Sequence, residues 1–495
     1  MNELIRINNS DSVAVALCPL NKGSKISVSG ADFSVEILED IPMGHKVALK
    51  DIAKGEAVIK YGFPIGEALA EIHKGEHIHT NNLRTLLSGA HKYNYSPTNP
   101  KIEKMPERFF QGYLRKNGKV GVRNELWIIP TVGCVNDIAE ALEKKAQVFK
   151  GEQIENVRAF THPYGCSQLG NDQENFRTAL ANIATHPNAG GVLVLGLGCE
   201  NSGVEEIKKR MGDYDPERVR FLISQDVEDE VEAGFNLLKE LSERMKNDSR
   251  TKCSVSKLIV GLKCGGSDGL SGITANPTIG GFSDLLISHG GSTILTEVPE
   301  MFGAETILMN RCKDEETYEK TVNLINNFKA YFEASGQPVY ENPSPGNKAG
   351  GITTLEDKAL GCTQKSGSAP VNDVLPYAGK VTKAGLNLLS APGNDLVAST
   401  ALSVAGAQIV LFSTGRGTPF GCPVPTLKIS SNTPLFEKKS RWIDFNAGTL
   451  VNGGTISEKA QELFEFVISV AEGKKTRNEI NGFQSMAIFK TGTTL

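Results

Sequence analysis

Residues 125–136, ELWIIPTVGCVN, decide how most of this chain is read. The run from Glu125 to Ile129 is dense enough in apolar residues for a buried strand. Thr131-Val132-Gly133-Cys134 makes a short glycine-bearing turn, and a helical pattern follows from Asn136 to about Val148. The same order recurs downstream. Val157 to Phe160 runs into Thr161-His162-Pro163-Tyr164-Gly165-Cys166 and a helix, and Gly191 to Leu195 runs into Gly196-Leu197-Gly198-Cys199-Glu200-Asn201. Arg220 to Ile223 runs into Ser224-Gln225-Asp226 and a helix reaching Met245. Alternation of strand, loop and helix predicts a parallel sheet with helices on its faces. Ligands of such sheets collect at the carboxyl ends of the strands, where three of these four loops carry a Gly-Cys pair.

Upstream the pattern differs. Residues 1–95 show short β-branched runs at Ile5 to Ile7, Val13 to Leu17, Ile26 to Val28, Val47 to Lys50 and Ala57 to Tyr61, divided by Lys-Gly turns. Ile52-Ala53-Lys54-Gly55-Glu56 returns as Ile72-His73-Lys74-Gly75-Glu76, the same turn chemistry closing two hairpin-like units. Residues 96–118, rich in Pro, Asn, Lys and Glu, read as an extended linker. A polar interval near 246–257 precedes a third unit whose apolar runs, Lys257 to Leu262, Thr293 to Leu295, Leu386 to Leu389 and Gln408 to Phe412, each end in a Gly-, Asp- or Pro-rich loop. The chain is therefore expected to be multidomain: a small β unit over 1–95, a linker over 96–118, and α/β domains over 119–250 and 251–495.

Composition narrows the function. With 53 Lys and Arg against 57 Asp and Glu, the formal charge of −4 leaves no broad basic field for nucleic acid. No apolar run approaches the ~20 residues of a membrane span, and the N-terminus has no signal-peptide pattern, so a cytoplasmic protein is expected. Nine cysteines spread along a long chain do not form a compact disulfide framework, and reduced thiols are free to bind metal.

Nucleotide motifs fail. Gly196-Leu197-Gly198-Cys199-Glu200-Asn201 has Asn where a dinucleotide fingerprint needs its third glycine, and no phosphate loop occurs. Cys134, Cys166, Cys199 and Cys264 each lie in a glycine-bearing loop at a strand end, with His162 close to Cys166; metal ligation competes here with ordinary buried packing. Glu76-His77-Ile78-His79 on a strand places both imidazoles on one face, where they can bind a divalent ion or simply line a solvated face, and His45 is a weaker candidate for the same pocket. Asp268, Glu297 and Glu300 are oxygen ligands or acid/base groups, with helix capping the alternative for Asp268. Residues 341–365 are too rich in Gly and Pro for one regular element and bring Lys348, Glu356, Asp357 and Lys358. Arg416, between glycines after a strand, suits a bidentate grip on a carboxylate or a surface ion pair.

Taken together, GHKVALKDIAKGEAVIKYGFPIG (44–66), GEHIHTNN (75–82), GVRNELWIIPTVGCVN (121–136), THPYGCSQLG (161–170), HPNAGGVLVLGLGCEN (186–201), LKCGGSDGLSGITANP (262–277), LTEVPEMFGAE (295–305), LLSAPGNDLVAST (388–400), FSTGRGTPFG (412–421) and the 341–365 segment resemble the altronate/galactarate dehydratase family over essentially the whole chain. The resemblance implies an N-terminal SAF-type β-clip domain, a middle domain that mediates homodimer formation, and a Rossmann-like C-terminal domain with a metal site. It implies an iron(II)-dependent hydro-lyase of hexuronate catabolism, able to use manganese, that converts D-altronate to 2-dehydro-3-deoxy-D-gluconate, with galactarate or a related sugar acid as alternative substrate.

The chemical difficulty is the C2 proton beside a carboxylate, because its removal adds a second negative charge to that end of the molecule. A divalent ion would absorb that charge, a base would take the proton and an acid would help the 3-hydroxyl leave. On chemical type and loop position, His77 and His79 are expected to hold the ion against loops carrying Cys166, Cys199 or Cys264. Arg416, Asn201 and Asp268 are expected to bind substrate, and His162, Lys348 and Glu297 to move protons. Two rivals remain: an iron–sulfur cluster on the loop cysteines as the Lewis acid, and a sugar-acid binding protein without turnover.

Overall fold

The computed structural model describes residues 3–87, 89, 92–492 and 494, so the outermost ends of the first and last predicted domains lie partly outside the described residues. The N-terminal unit is all β. One sheet runs in the order Ser34–Glu36, Lys25–Ser29, Leu4–Ile5, Val13–Ala16, Lys46–Ala48, His77–Ile78, and a second joins Ala57–Lys60, Phe63–Ala68 and Leu83–Arg84. The repeated pentapeptide lies at the centre of this unit. Ile52 and Ile72 exchange backbone hydrogen bonds of 2.8 and 2.9 Å, and Glu56 and Glu76 each accept the amide three residues back, from Ala53 and His73. The glycine of the second copy cannot be replaced cheaply: Gly75 sits at φ +93°, and a Cβ there would stand 2.0 Å from the Glu36 carbonyl oxygen.

The stretch read as a linker is not irregular throughout. Phe109–Leu114 is a strand, paired antiparallel with Thr251–Ser254 on one side and Val120–Gly121 on the other. Phe110 and Tyr113 are buried, but the pairing partner Thr251–Ser254 is distant in sequence, so the charged composition upstream hid the strand.

The middle unit is a parallel sheet in the order Val157–Ala159, Glu125–Pro130, Ala189–Gly196, Val219–Ile223. Its unbroken apolar runs follow from burial on both faces. Leu126, Ile128, Leu193 and Leu195 enter one core, and Trp127, Ile129, Val192 and Val194 enter the opposite one. The C-terminal unit holds a seven-stranded parallel sheet in the order Val371–Leu375, Gly385–Leu389, Ser292–Leu295, Ile259–Cys264, Ile409–Thr414, Thr426–Ser430, Phe445–Asn446. In both sheets the first strand laid down is internal, and later strands add on either side of it. Each sheet therefore has a switch point, between Glu125–Pro130 and Ala189–Gly196 and between Ile259–Cys264 and Ile409–Thr414, where a crevice opens at the carboxyl edge.

Residues 341–365 resolve into two helices, Pro345–Ala349 and Leu355–Thr363, the second capped by the Thr354 hydroxyl. This segment docks the β unit onto the C-terminal unit. Lys46 donates to Gly351 O, Thr353 Oγ1 and Asp357 Oδ2 at 2.7, 2.7 and 2.9 Å, while Lys60 reaches Asp357 Oδ1 at 2.8 Å, all of it buried. Burial pulls the Lys46 ammonium down to about 8. Burial pushes the Asp357 carboxyl up, yet the two ammoniums outweigh it and hold that group well below the usual carboxylate range. Gly269 completes the contact, since a Cβ there would stand 1.8 Å from the Gly44 carbonyl oxygen. Among the described residues no helix is long and apolar enough to cross a membrane.

Candidate active site and metal centres

Docking brings three imidazoles together. His77 and His79 share one face of their strand with ring centroids 5.5 Å apart, and His45, after the Met43-Gly44 turn, lies 5.0 Å from His77 and 5.1 Å from His79. His45 Nδ1 meets His77 Nε2 at 2.9 Å, His45 Nε2 approaches Ala349 O at 3.4 Å, and His79 Nδ1 pairs with Thr353 Oγ1 at 3.0 Å. Burial, joined for His77 by its two neighbouring rings and for His79 by the Lys46 ammonium, lowers both to about 4; burial lowers His45 as well. All three rings are therefore neutral near pH 7, the protonation state a divalent ion requires.

Two cations flank this trio. Lys348, exposed on the short helix Pro345–Ala349, is near enough to contribute to the lowering of His79. Arg416 follows the Ile409–Thr414 strand at the C-terminal switch point and donates from Nη1 to Gly346 O at 3.3 Å on that same helix. Among the described residues neither has a carboxylate within ion-pair distance, so both remain available to an anionic ligand.

Behind the switch point lies a buried charged cluster. Cys264 Sγ lies 2.8 Å and Cys362 Sγ 3.2 Å from Glu300 Oε2, with the sulfurs 3.4 Å apart. This is the group whose possible ligand atoms all fall within 4.8 Å of one another among the described residues. Three buried ammoniums surround it. Lys358 pairs with Glu300 at 2.7 Å, Lys263 with Glu297 and, at 2.9 Å, with Asp395, and Lys365 lies 3.9 Å from Glu297. The contact with Cys362 lowers Cys264 to about 6 and raises Cys362. Burial raises Glu300, but Lys358, Lys263 and Lys365 outweigh it, whereas burial keeps Glu297 well above its ordinary value. Lysines that already neutralise these carboxylates make the cluster a poorer home for a dication than the neutral imidazoles. Glu297 also holds the left-handed region at φ +67° while it accepts the Cys264 amide at 2.9 Å, a strained arrangement fixed by its surroundings.

The structure separates the remaining sequence candidates. His162, Cys166, Cys199 and Asn201 all belong to the middle unit and make their contacts there, so the expected meeting of Cys166 or Cys199 with His77 and His79 does not occur. His162 is buried with Nε2 donating to Pro130 O at 2.7 Å and Nδ1 accepting the Tyr164 amide at 3.2 Å, which leaves it no nitrogen for proton transfer and corrects its acid/base reading. The Asn201 side chain accepts the Ser167 amide at 3.2 Å, a loop-to-loop tie within the middle unit. Asp268 accepts four side-chain and backbone donors, from Ser271 N and Oγ, Ser431 Oγ and Asn432 Nδ2, and so organises the loops at the switch point; it does not cap the Ala275–Ser288 helix, whose N-cap is Thr274. Cys264 and Glu297 sit in the lysine cluster.

Sequence reasoning missed Cys362, Lys365, Lys263 and the Lys46–Asp357–Lys60 triad. For Cys362 a signal existed, because Lys358 and Cys362 are four apart in a helix and share a face. For Lys46 and Lys60 there was none.

Comparison with known proteins agrees with the architecture. The Altronate/galactarate dehydratase SAF domain matches residues 2–86, the D-galactarate dehydratase/Altronate hydrolase second domain matches 112–246, and the D-galactarate/Altronate dehydratase C-terminal domain matches 255–494. Altronate dehydratase of Escherichia coli (strain K12) is 55% identical and that of Bacillus subtilis (strain 168) 54% identical, each alignment covering all of both chains. Galactarate dehydratase (L-threo-forming) of E. coli K12 is 34% identical over 95% of this chain and 93% of its own length. With a SAF domain at its N-terminus and two parallel-sheet units behind it, the chain belongs to the D-galactarate/altronate dehydratase family.

Proposed function

We propose that this chain is a hydro-lyase that removes water from D-altronate to give 2-dehydro-3-deoxy-D-gluconate, with ferrous iron, replaceable by manganese, held by His45, His77 and His79. The observation that carries the activity is the 54–55% identity, end to end, to two altronate dehydratases. The neutral imidazole trio with two unpaired cations beside it supports the placement. When bound, the ion supplies positive charge to offset the second negative charge that forms on the carboxylate end of the substrate. Arg416 grips that carboxylate. Lys348, an ammonium, gives its proton to the departing 3-hydroxyl and regains one from C2, and the enol tautomerises to the ketone. We further read the seven-stranded C-terminal sheet as Rossmann-like on the strength of its switch point, the protein as cytoplasmic from its nine free cysteines, and the middle unit as the contact of a homodimer, measurable by light scattering.

An anaerobic assay of iron-reconstituted protein against altronate, galactarate and glucarate, read as 2-keto-3-deoxy acid, tests the activity. Turnover of altronate is expected; turnover of galactarate or glucarate with none of altronate overturns the substrate. Lys348→Met is expected to lower kcat roughly 100-fold with little change in KM. Arg416→Ala is expected to raise KM by about tenfold or more, as steady-state kinetics of the two variants will show.

Iron retention should be unusually acid-tolerant. With His77 and His79 lowered to about 4 and His45 lowered as well, few of these rings are protonated at a pH near 5.5, so iron affinity in a chelator competition should fall less than about tenfold between about pH 7.5 and 5.5. Two histidines of ordinary pKa ~6.5 would lose on the order of 100-fold over that range.

A further inference from the structure

Cys134, Cys166 and Cys199 take no part in the site above, yet the middle sheet gathers their loops at one edge. Cys134 follows the Glu125–Pro130 strand, Cys199 follows Ala189–Gly196, and these two strands flank the switch point; Cys166 follows Val157–Ala159 beside them. The residues next to each cysteine bind the neighbouring loop. Gly133 N donates to Tyr164 O at 2.8 Å, Ser202 N to Gly165 O at 3.1 Å, and Ser167 N to the Asn201 side chain at 3.2 Å. Gly165 and Gly198 at φ +115° and +131°, with Ser167 at +65°, make the sharp turns that hold these loops together.

The helices that follow the three loops, Asn136–Ala146, Gly170–Ala184 and Val204–Met211, present their N-termini to this edge, and none has a side-chain cap, whereas the neighbouring Glu230–Met245 helix is capped by Asp229. Arg177 adds a guanidinium, bonded to Asn201 O and, at 3.3 Å, to Ser202 Oγ, with Glu206 3.7 Å away. The one carboxylate in the loops, Glu200, is tied into its own turn by the amides of Leu197 and Gly198 and by the Thr131 hydroxyl. Cys134 and Cys199 are exposed and Cys166 half-buried, so the crevice is open to a ligand.

We propose that Cys134, Cys166 and Cys199 hold a four-iron iron–sulfur cluster at the carboxyl edge of the middle sheet, leaving one iron without a protein ligand. Binding of a preformed cluster is ligand exchange: each thiol loses its proton to solvent as its sulfur–iron bond forms, and no oxidation state changes. Wide spacing along the chain is no obstacle, because each cysteine comes from a successive strand–loop–helix unit.

The test is anaerobic reconstitution of the full chain with ferric iron, excess thiol and sulfide, followed by desalting, visible absorbance, and iron and acid-labile sulfide per chain. The wild type is expected to be brown and to carry sulfide, with at least a roughly tenfold loss of both in Cys134→Ser/Cys166→Ser/Cys199→Ser and no loss in His77→Gln/His79→Gln. Because two of the three cysteines are exposed, the single variants Cys134→Ser and Cys199→Ser should fold and still lose colour, with melting temperature as the control. A colourless wild type, a colourless protein carrying zinc instead, or colour retained in the triple variant overturns the proposal without touching the imidazole site.

Discussion

His77→Ala/His79→Ala protein, assayed anaerobically with ferrous iron, is expected to lose about three powers of ten in kcat while its circular dichroism stays native. Two of the three neutral imidazoles disappear, and the Lewis-acid contribution of a bound ion is worth several kcal/mol, at ~1.4 kcal/mol per factor of ten. Both rings are only half-buried on an edge strand, so the fold does not depend on them as the activity does. Iron content per chain, measured after desalting on protein loaded with ferrous iron in the absence of sulfide, should fall with turnover. Undiminished iron and turnover would remove these residues from the site. His45→Ala should behave in the same direction, because its ring contacts both partners.

Asp357→Asn should produce the largest loss of stability. The substitution keeps the shape but leaves the buried Lys46 and Lys60 ammoniums without a counter-charge, and breaking a buried ion network in this way costs about 3–5 kcal/mol. Chemical denaturation should show that loss, and limited proteolysis should show the β unit released from the rest of the chain, since these bonds join it to residues 351–357. The sign of the pH dependence follows from the lowered Asp357 carboxyl. Its contribution is complete above the unfolded carboxylate value of ~3.9 and disappears only as pH falls through the lower folded value. The stability gap between wild type and variant should thus be flat from about pH 5 to 7 and close only in strong acid. A gap below about 1 kcal/mol would show that the triad does not hold the docking interface.

The Asp357 triad also shows where reading the sequence stops. Asp357 stands in a segment that its Gly and Pro content singles out, whereas Lys46 and Lys60 carry no local signal of burial. Only the packing of one unit on another buries them. Likewise Glu76-His77-Ile78-His79 announced two imidazoles on one face, because side-chain alternation on a strand is a local property. That His45 completes the group depends on the antiparallel pairing of Lys46–Ala48 with His77–Ile78, a long-range register with no local signature.

The strand–loop–helix rhythm of residues 125–245 and the short β runs before it determined the classes of the units, since periodicity and turn chemistry are fixed by backbone geometry within a few residues. Tertiary structure alone decided which loops meet. It separated His162, Cys166, Cys199 and Asn201 from the imidazole trio and set Cys362 against Cys264 and Glu300. The reason is that strand order and domain docking are settled by burying whole faces. The chemistry at a sheet edge is then assembled from residues tens to hundreds of positions apart, and no window of sequence contains them together.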